Sequence, residues 1–130
     1  MKHFKESEFE CPCGCGLNFK DMDKDLIKKL IIARRHAGTP FFITSSIRCK
    51  NHNKKVGGSP MSSHLAGLAV DITCDCSKKR FRIVKGLILA GFTRIEIAKR
   101  HIHADADEKK AKRVLWVQYG DVGGKSVGKK

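Results

Sequence analysis

Nowhere does this chain carry an apolar run long enough to span a bilayer, and its first residues, Met1 to Glu8, are charged where a secretion signal needs a hydrophobic stretch. The expectation is a product that begins soluble in the cytoplasm without a signal peptide and makes no stable membrane insertion. No internal repeat is visible, which removes the solenoid architectures. Acidic residues are scarce: 13 Asp and Glu stand against 27 Lys and Arg, a formal charge of +14. Such a balance favours an anionic partner, whether nucleic acid, an acidic membrane face or the bacterial cell wall, and does not choose among them. Tyrosine and tryptophan occur once each, and the seven phenylalanines mostly fall at predicted core positions, so no interleaved base-stacking platform is present.

A chain of 130 residues can bury one compact core and is too short for two ordinary domains. From Asp23 to about His36 the apolar spacing of Leu26, Ile27, Leu30 and Ile31 predicts a helix, capped by Asp21 or Asp23 and ended by Gly38 and Pro40. Phe41 to Ser45 reads as a short strand and Val56 to Pro60 as an irregular loop. Leu68 to Ile72 has the composition of a buried strand. A second helix is predicted from a Ser77 cap to about Ala90, with Phe81, Ile83, Val84, Leu87 and Ile88 on its apolar side. Thr93 to Ala106 alternates as two strands do, with Arg94, Glu96, His101, His103 and Asp105 on the face opposite Ile95, Ile97, Ile102 and Ala104. If Lys99 and Arg100 form the tip of a hairpin, Ile97 pairs with Ile102 and Glu96 lies opposite His103. Arg113 to Tyr119 is a last strand, followed by a Gly- and Lys-rich tail. The expected fold class is α+β: a single domain over 1–119 with a small central antiparallel sheet flanked by two main helices, and a flexible basic tail over 120–130.

Six cysteines are many for a protein kept in a reducing compartment. Cys11, Cys13 and Cys15 alternate along a Gly-rich stretch, unlike the paired C-x-x-C knuckles of zinc ribbons, and Cys49, Cys74 and Cys76 supplement them only if the fold brings them near. The favoured reading is a Gly-rich turn carrying buried or free thiols, with a structural metal or a disulfide as the alternative.

Two stretches carry chemistry. Ser62-Ser63-His64-Leu65-Ala66-Gly67-Leu68-Ala69-Val70-Asp71 and His101-Ile102-His103 offer a His, Asp, His set, which suits zinc with a fourth position open. Asp71 interrupts an apolar run, and a carboxylate among buried neighbours is costly unless paired or metal-bound.

The order Ser62, His64, Gly67, Ala69 and Asp71, followed by His-Ile-His, resembles the M15 family of zinc D,D- and L,D-peptidases that act on bacterial cell walls. That grouping includes D-alanyl-D-alanine carboxypeptidases and phage endolysins and shares a metal core with the Hedgehog signalling domain and lysostaphin-like peptidases. The similarity extends from Phe4 to Tyr119, through Cys13-Gly14-Cys15-Gly16, Thr44 to Cys49, His52-Asn53 and Gly91 to Ile95. It implies Zn2+ held by His64, Asp71 and His103, with Arg48 steadying a substrate carbonyl or terminal carboxylate, His101 stabilising an oxyanion and Ser63 holding the loop. It also implies peptidoglycan stem peptides as the partner; a monomer with no nucleic-acid partner is expected, and the charged N-terminus suits action on the wall as a phage or prophage lysis protein. Many members carry an Asp or Glu base three residues before the last ligand. That position here is Arg100, which cannot serve as a base near neutral pH. Glu96 is the expected substitute and Asp105 the second choice, unless it orients a ligand or pairs with Arg94. Two rival readings are an inert zinc-bearing wall-binding module, which the missing acid allows, and a His-x-His nuclease, disfavoured because Tyr119 has no partner motif around it.

Overall fold

The computed structural model describes residues 3–118, so Tyr119 at the end of the last predicted strand and the 120–130 tail lie outside the described residues. Five strands, β1 (Ile43–Ser45), β2 (Ala69–Thr73), β3 (Arg94–Ile97), β4 (His101–Asp105) and β5 (Val114–Val117), form one sheet in the order β1-β2-β4-β3-β5. The first three pairings are antiparallel and β5 adds to β3 in parallel, making a mixed sheet. Strand alternation fixes which face a side chain takes, but it carries no information on the direction of a neighbour.

Helix α1 (Lys24–Ala37) begins at Asp23, whose carboxylate accepts the Leu26 N–H at 2.9 Å, and ends at Gly38 in the left-handed conformation. Its buried stripe is Leu26, Ile27, Leu30, Ala33 and Ala37. Helix α3 (Ser77–Leu89) packs against it through Ile83, Gly86 and Leu87, and at Gly86 a Cβ would collide with the Ala33 carbonyl. Both helices join Val70, Ile72, Ile95, Ile102 and Ala104 in the hydrophobic core, so they cover one face of the sheet.

Three expectations are corrected. Ser77 is the first helical residue and not the cap; Cys76 holds that position with no side-chain bond. Phe81 and Ile88 are 72% and 56% exposed, because the close helix contact at Gly86 uses only a narrow stripe of α3, and Phe42, just before β1, is 61% exposed. A short helix α2 (Lys50–Lys55) occupies a stretch to which no element was assigned. Its sequence, KNHNKK, has no apolar stripe to signal it, and the Cys49 sulfur caps it by accepting the His52 N–H at 3.3 Å.

Candidate metal centre

The register of the sheet aligns one residue from every strand in a single row. Ser45 lies opposite Asp71, Asp71 opposite His103, His103 opposite Glu96, and Glu96 beside Trp116. Because neighbours in such a row point to the same side, the polar row faces away from the helices while Val70, Ile72, Ile102 and Ala104 face them. The hairpin anticipated from sequence sets this alignment: Ile97 pairs with Ile102 and Glu96 with His103, with Ala98 N–H bonded to the His101 carbonyl across the Lys99-Arg100 tip.

His64 reaches the row from a loop. The single 3₁₀ turn Ser63–Ala66 ends at Gly67, whose φ of +70° belongs to the left-handed region and whose missing side chain leaves room for the Asp21 carbonyl. Ser62 caps the turn by accepting the His64 N–H, and buried Ser63 donates to Asp107 Oδ2 at 2.7 Å. His64 Nδ1 donates to the Ser46 carbonyl at 2.7 Å, which leaves Nε2 facing Asp71 Oδ1 at 3.3 Å. His103 is anchored in the mirror sense. Its Nε2 lies 2.7 Å from Asp105 Oδ2, and its Nδ1 lies 3.0 Å from Asp71 Oδ1.

One donor atom from each of His64, Asp71 and His103 can therefore be chosen so that all lie within 4.8 Å of one another. The remaining nitrogen of each ring is fixed by a carbonyl or a carboxylate, the outer hydrogen bond that orients a metal-ligating imidazole. Two imidazoles and one carboxylate suit a zinc ion and leave a tetrahedral position free. The donor set fits the metal.

Arg48 forms the facing wall. Its Nε donates to Ser45 Oγ at 3.0 Å and its Nη1 to Asn53 Oδ1 at 3.2 Å, while Nη2 lies 3.5 Å from Asp71 Oδ2. Asn53, on α2, is buried and ties the Val56 to Pro60 loop by donating to the Ser59 carbonyl at 2.8 Å. A side chain at Gly58 would strike the Asn53 amide and force it to shift from its bond to Arg48.

Burial pushes the Asp71 carboxyl up, yet hydrogen bonds from His103 and His64 outweigh it and hold Asp71 far below the usual carboxylate range. For His103, burial disfavours the charged ring, but Asp105 and Asp71 raise it to about 9. Burial likewise disfavours the Asp105 anion, and contacts with His103, the Asp107 N–H and Arg94 lower it overall.

The six residues singled out from sequence, Arg48, His64, Asp71, Glu96, His101 and His103, line one cleft of about 470 Å³. His101 is the most peripheral of the three histidines, with Nε2 3.9 Å from Asp71 Oδ1. Asp105 sits behind His103: it is 1% exposed and pairs with the equally buried Arg94 at 2.7 Å, so both roles considered against its being a base are realised together. Trp116 was given no role from sequence. Its indole N–H donates to Glu96 Oε2 at 2.9 Å, its ring lies 6.1 Å from that of His103, and the Arg94 guanidinium lies over it. The available signal was a lone tryptophan in a strand, since a buried indole N–H needs an acceptor. Asn53 stands out in the sequence only as part of the His52-Asn53 pair, and its bond to Arg48 depends on a helix that the residue pattern does not reveal.

A small α+β domain with two imidazoles and a carboxylate converging at the floor of a cleft has the architecture of a metallopeptidase. A family model described as Peptidase M15 matches residues 2–105, and the chain belongs to that family. The match takes in His64, Asp71, Glu96 and His103 and stops before β5, so Trp116 lies beyond it. No curated protein matches the chain.

Proposed function

We propose that this metallopeptidase is a zinc-dependent peptidoglycan peptidase, hydrolysing a peptide bond of bacterial stem peptides as an endopeptidase or D-Ala-D-Ala carboxypeptidase. The observation that carries the reading is the sheet row, which sets Glu96 beside His103 and His103 beside Asp71 in one cleft. His64, Asp71 and His103 would hold the zinc. When bound, zinc supplies Lewis acidity that makes water a competent nucleophile near neutral pH.

The chain's own residues do the rest. Arg48, held on two sides by Ser45 and Asn53, offers a substrate carbonyl or terminal carboxylate the N–H groups that those bonds and the Nη2 contact to Asp71 leave unused, a task suited to a fixed guanidinium fork. Glu96 accepts the water proton at Oε1, since Trp116 occupies Oε2, and returns it to the amine that leaves. His101 donates to the oxyanion of the tetrahedral intermediate. Asp105 positions His103 and, paired with Arg94, is not free to exchange protons with substrate.

The resemblance to cell-wall peptidases and the +14 charge support the anionic wall as the target. In this reading the protein acts as a monomer, needs neither nucleic acid nor a membrane, and reaches the wall from the cytoplasm, as a phage or prophage lysis protein does. The test is incubation with purified sacculi, with and without a chelator, followed by mass spectrometry of the released muropeptides. New amino termini that vanish on chelation support the peptidase. Wall binding without cleavage would support an inert module, and cleavage of added single-stranded DNA a nuclease.

A further inference from the structure

At Cys49, the residue after Arg48, the fold gathers four sulfurs from two separate stretches. Cys11, Cys13, Cys15 and Cys49 place their Sγ atoms within 4.8 Å of one another, with Cys11 to Cys13 at 3.5 Å and Cys13 to Cys49 at 3.4 Å. None is paired in a disulfide. We propose that these four thiols are a second metal site, a tetrathiolate that binds zinc independently of the His64, Asp71 and His103 centre.

The alternate spacing that set Cys11, Cys13 and Cys15 apart from a zinc ribbon is accommodated by the loop. Gly14 and Gly16 adopt φ of +78° and +100°, the Gly14 N–H bonds the Cys11 carbonyl, and the Cys11 N–H bonds the Leu17 carbonyl. The chain thus coils around its own sulfurs and meets Cys49 at the start of α2. A Zn–S distance near 2.3 Å puts tetrahedral sulfurs about 3.8 Å apart; the Cys11–Cys13 and Cys13–Cys49 separations of 3.5 and 3.4 Å fall a little short of that, and every pair lies within 4.8 Å. Two backbone donors also point at the sulfurs: the Cys49 N–H at Cys11 Sγ, 3.5 Å away, and the His52 N–H at Cys49 Sγ, 3.3 Å away. Such donors stabilise negative sulfur.

Packing alone does not account for the group. Cysteine commonly serves as a small buried hydrophobe, which describes Cys11, but Cys13 and Cys15 are exposed. Soft thiolates in an all-sulfur tetrahedron select zinc over the hard cations. Cys74 and Cys76 do not join the group. The expected consequence is mechanical: the site would fasten the 11–15 loop to the residue next to Arg48 and to the cap of the helix that carries Asn53.

The test is zinc content per chain, by mass spectrometry of protein purified without chelator, for the wild type, a Cys13→Ser/Cys15→Ser variant and a His64→Ala/His103→Ala variant. The substituted cysteines are exposed, so the fold should tolerate the change. Expected are two zinc ions in the wild type and one in each variant. As a second readout on wild-type protein, cobalt replacement should give an intense thiolate-to-metal charge-transfer band that survives His64→Ala/His103→Ala and disappears in Cys13→Ser/Cys15→Ser. The proposal is overturned by zinc content unchanged in Cys13→Ser/Cys15→Ser with no such band, or by a Cys13 to Cys49 disulfide in the peptide map of freshly isolated protein. Loss of zinc from the His64→Ala/His103→Ala variant reports on the other centre alone, so the two readings fail separately.

Discussion

The two walls of the cleft are built by different means. On one side Asp71, His103 and Glu96 come from paired strands, and their neighbourhood is a consequence of register. On the other, Arg48 comes from a connection between β1 and α2 and is held by single hydrogen bonds to Ser45 and Asn53, with its Nη2 reaching Asp71 across the cleft at 3.5 Å. A register cannot be altered slightly, because a slip of one residue turns every side chain to the opposite face. A loop can shift by tenths of an ångström. The strand wall is therefore suited to holding a metal and the loop wall to adapting to substrate.

Substitutions of the metal-holding residues, Asp71 and His103 on the strand wall and His64 on its loop, should have the largest effects. His64→Ala, Asp71→Ala or His103→Ala should abolish bound metal at this centre together with peptidase activity, read by metal analysis and muropeptide release. Next comes Glu96→Gln, which keeps the row and the Trp116 contact; kcat should fall by about 10²- to 10⁴-fold with metal content unchanged. Retained activity would pass the role of base to another residue. Asp105→Asn, which leaves the strand intact but loosens His103, should weaken metal affinity or activity by about 10- to 100-fold. It also leaves buried Arg94 with an acceptor but without its counter-charge, which should lower stability in chemical denaturation.

The loop wall should respond more mildly. Arg48→Lys keeps the charge and loses the fork, and kcat/KM should drop by about 10- to 100-fold while metal binding is spared. An equal loss of metal would erase the distinction between the walls.

The smallest effect is one of pH. With His103 raised to about 9, protons compete with metal at this ring, so metal affinity should climb as pH rises towards 9. In protein stripped of metal the sign reverses for stability. The charged His103 is held by Asp71 and Asp105, and that stabilisation is complete below the ordinary histidine value of 6.5 and lost as pH rises through 9. Thermal melts of the stripped protein should therefore fall between pH 6.5 and 9.5, and a flat profile would count against the pairing.

The same division marks what could be read from the sequence. Period-two alternation in Thr93 to Ala106 placed Glu96 against His103 on the condition of a hairpin tip at Lys99-Arg100, which the sheet register meets, and the capped amphipathic pattern located α1. These are local signals repeated over several residues. The parallel addition of β5, and with it Trp116 on Glu96, depends on a pairing between segments that no local pattern specifies. Helix α2 is polar on every side, so neither its existence nor the Asn53 contact to Arg48 left a periodic trace. The cysteines show the limit from the other direction. Their spacing along the chain pointed away from a cluster, and only the folding of Cys49 onto the 11–15 loop assembles one.

The central claim is that His64, Asp71 and His103 grip one metal ion at the cleft floor. Anomalous diffraction at the zinc edge, on crystals of protein loaded with zinc, tests it most directly. The account predicts a peak within bonding distance of His64 Nε2, an Asp71 carboxylate oxygen and His103 Nδ1. A loaded crystal with no peak between those three atoms would contradict it.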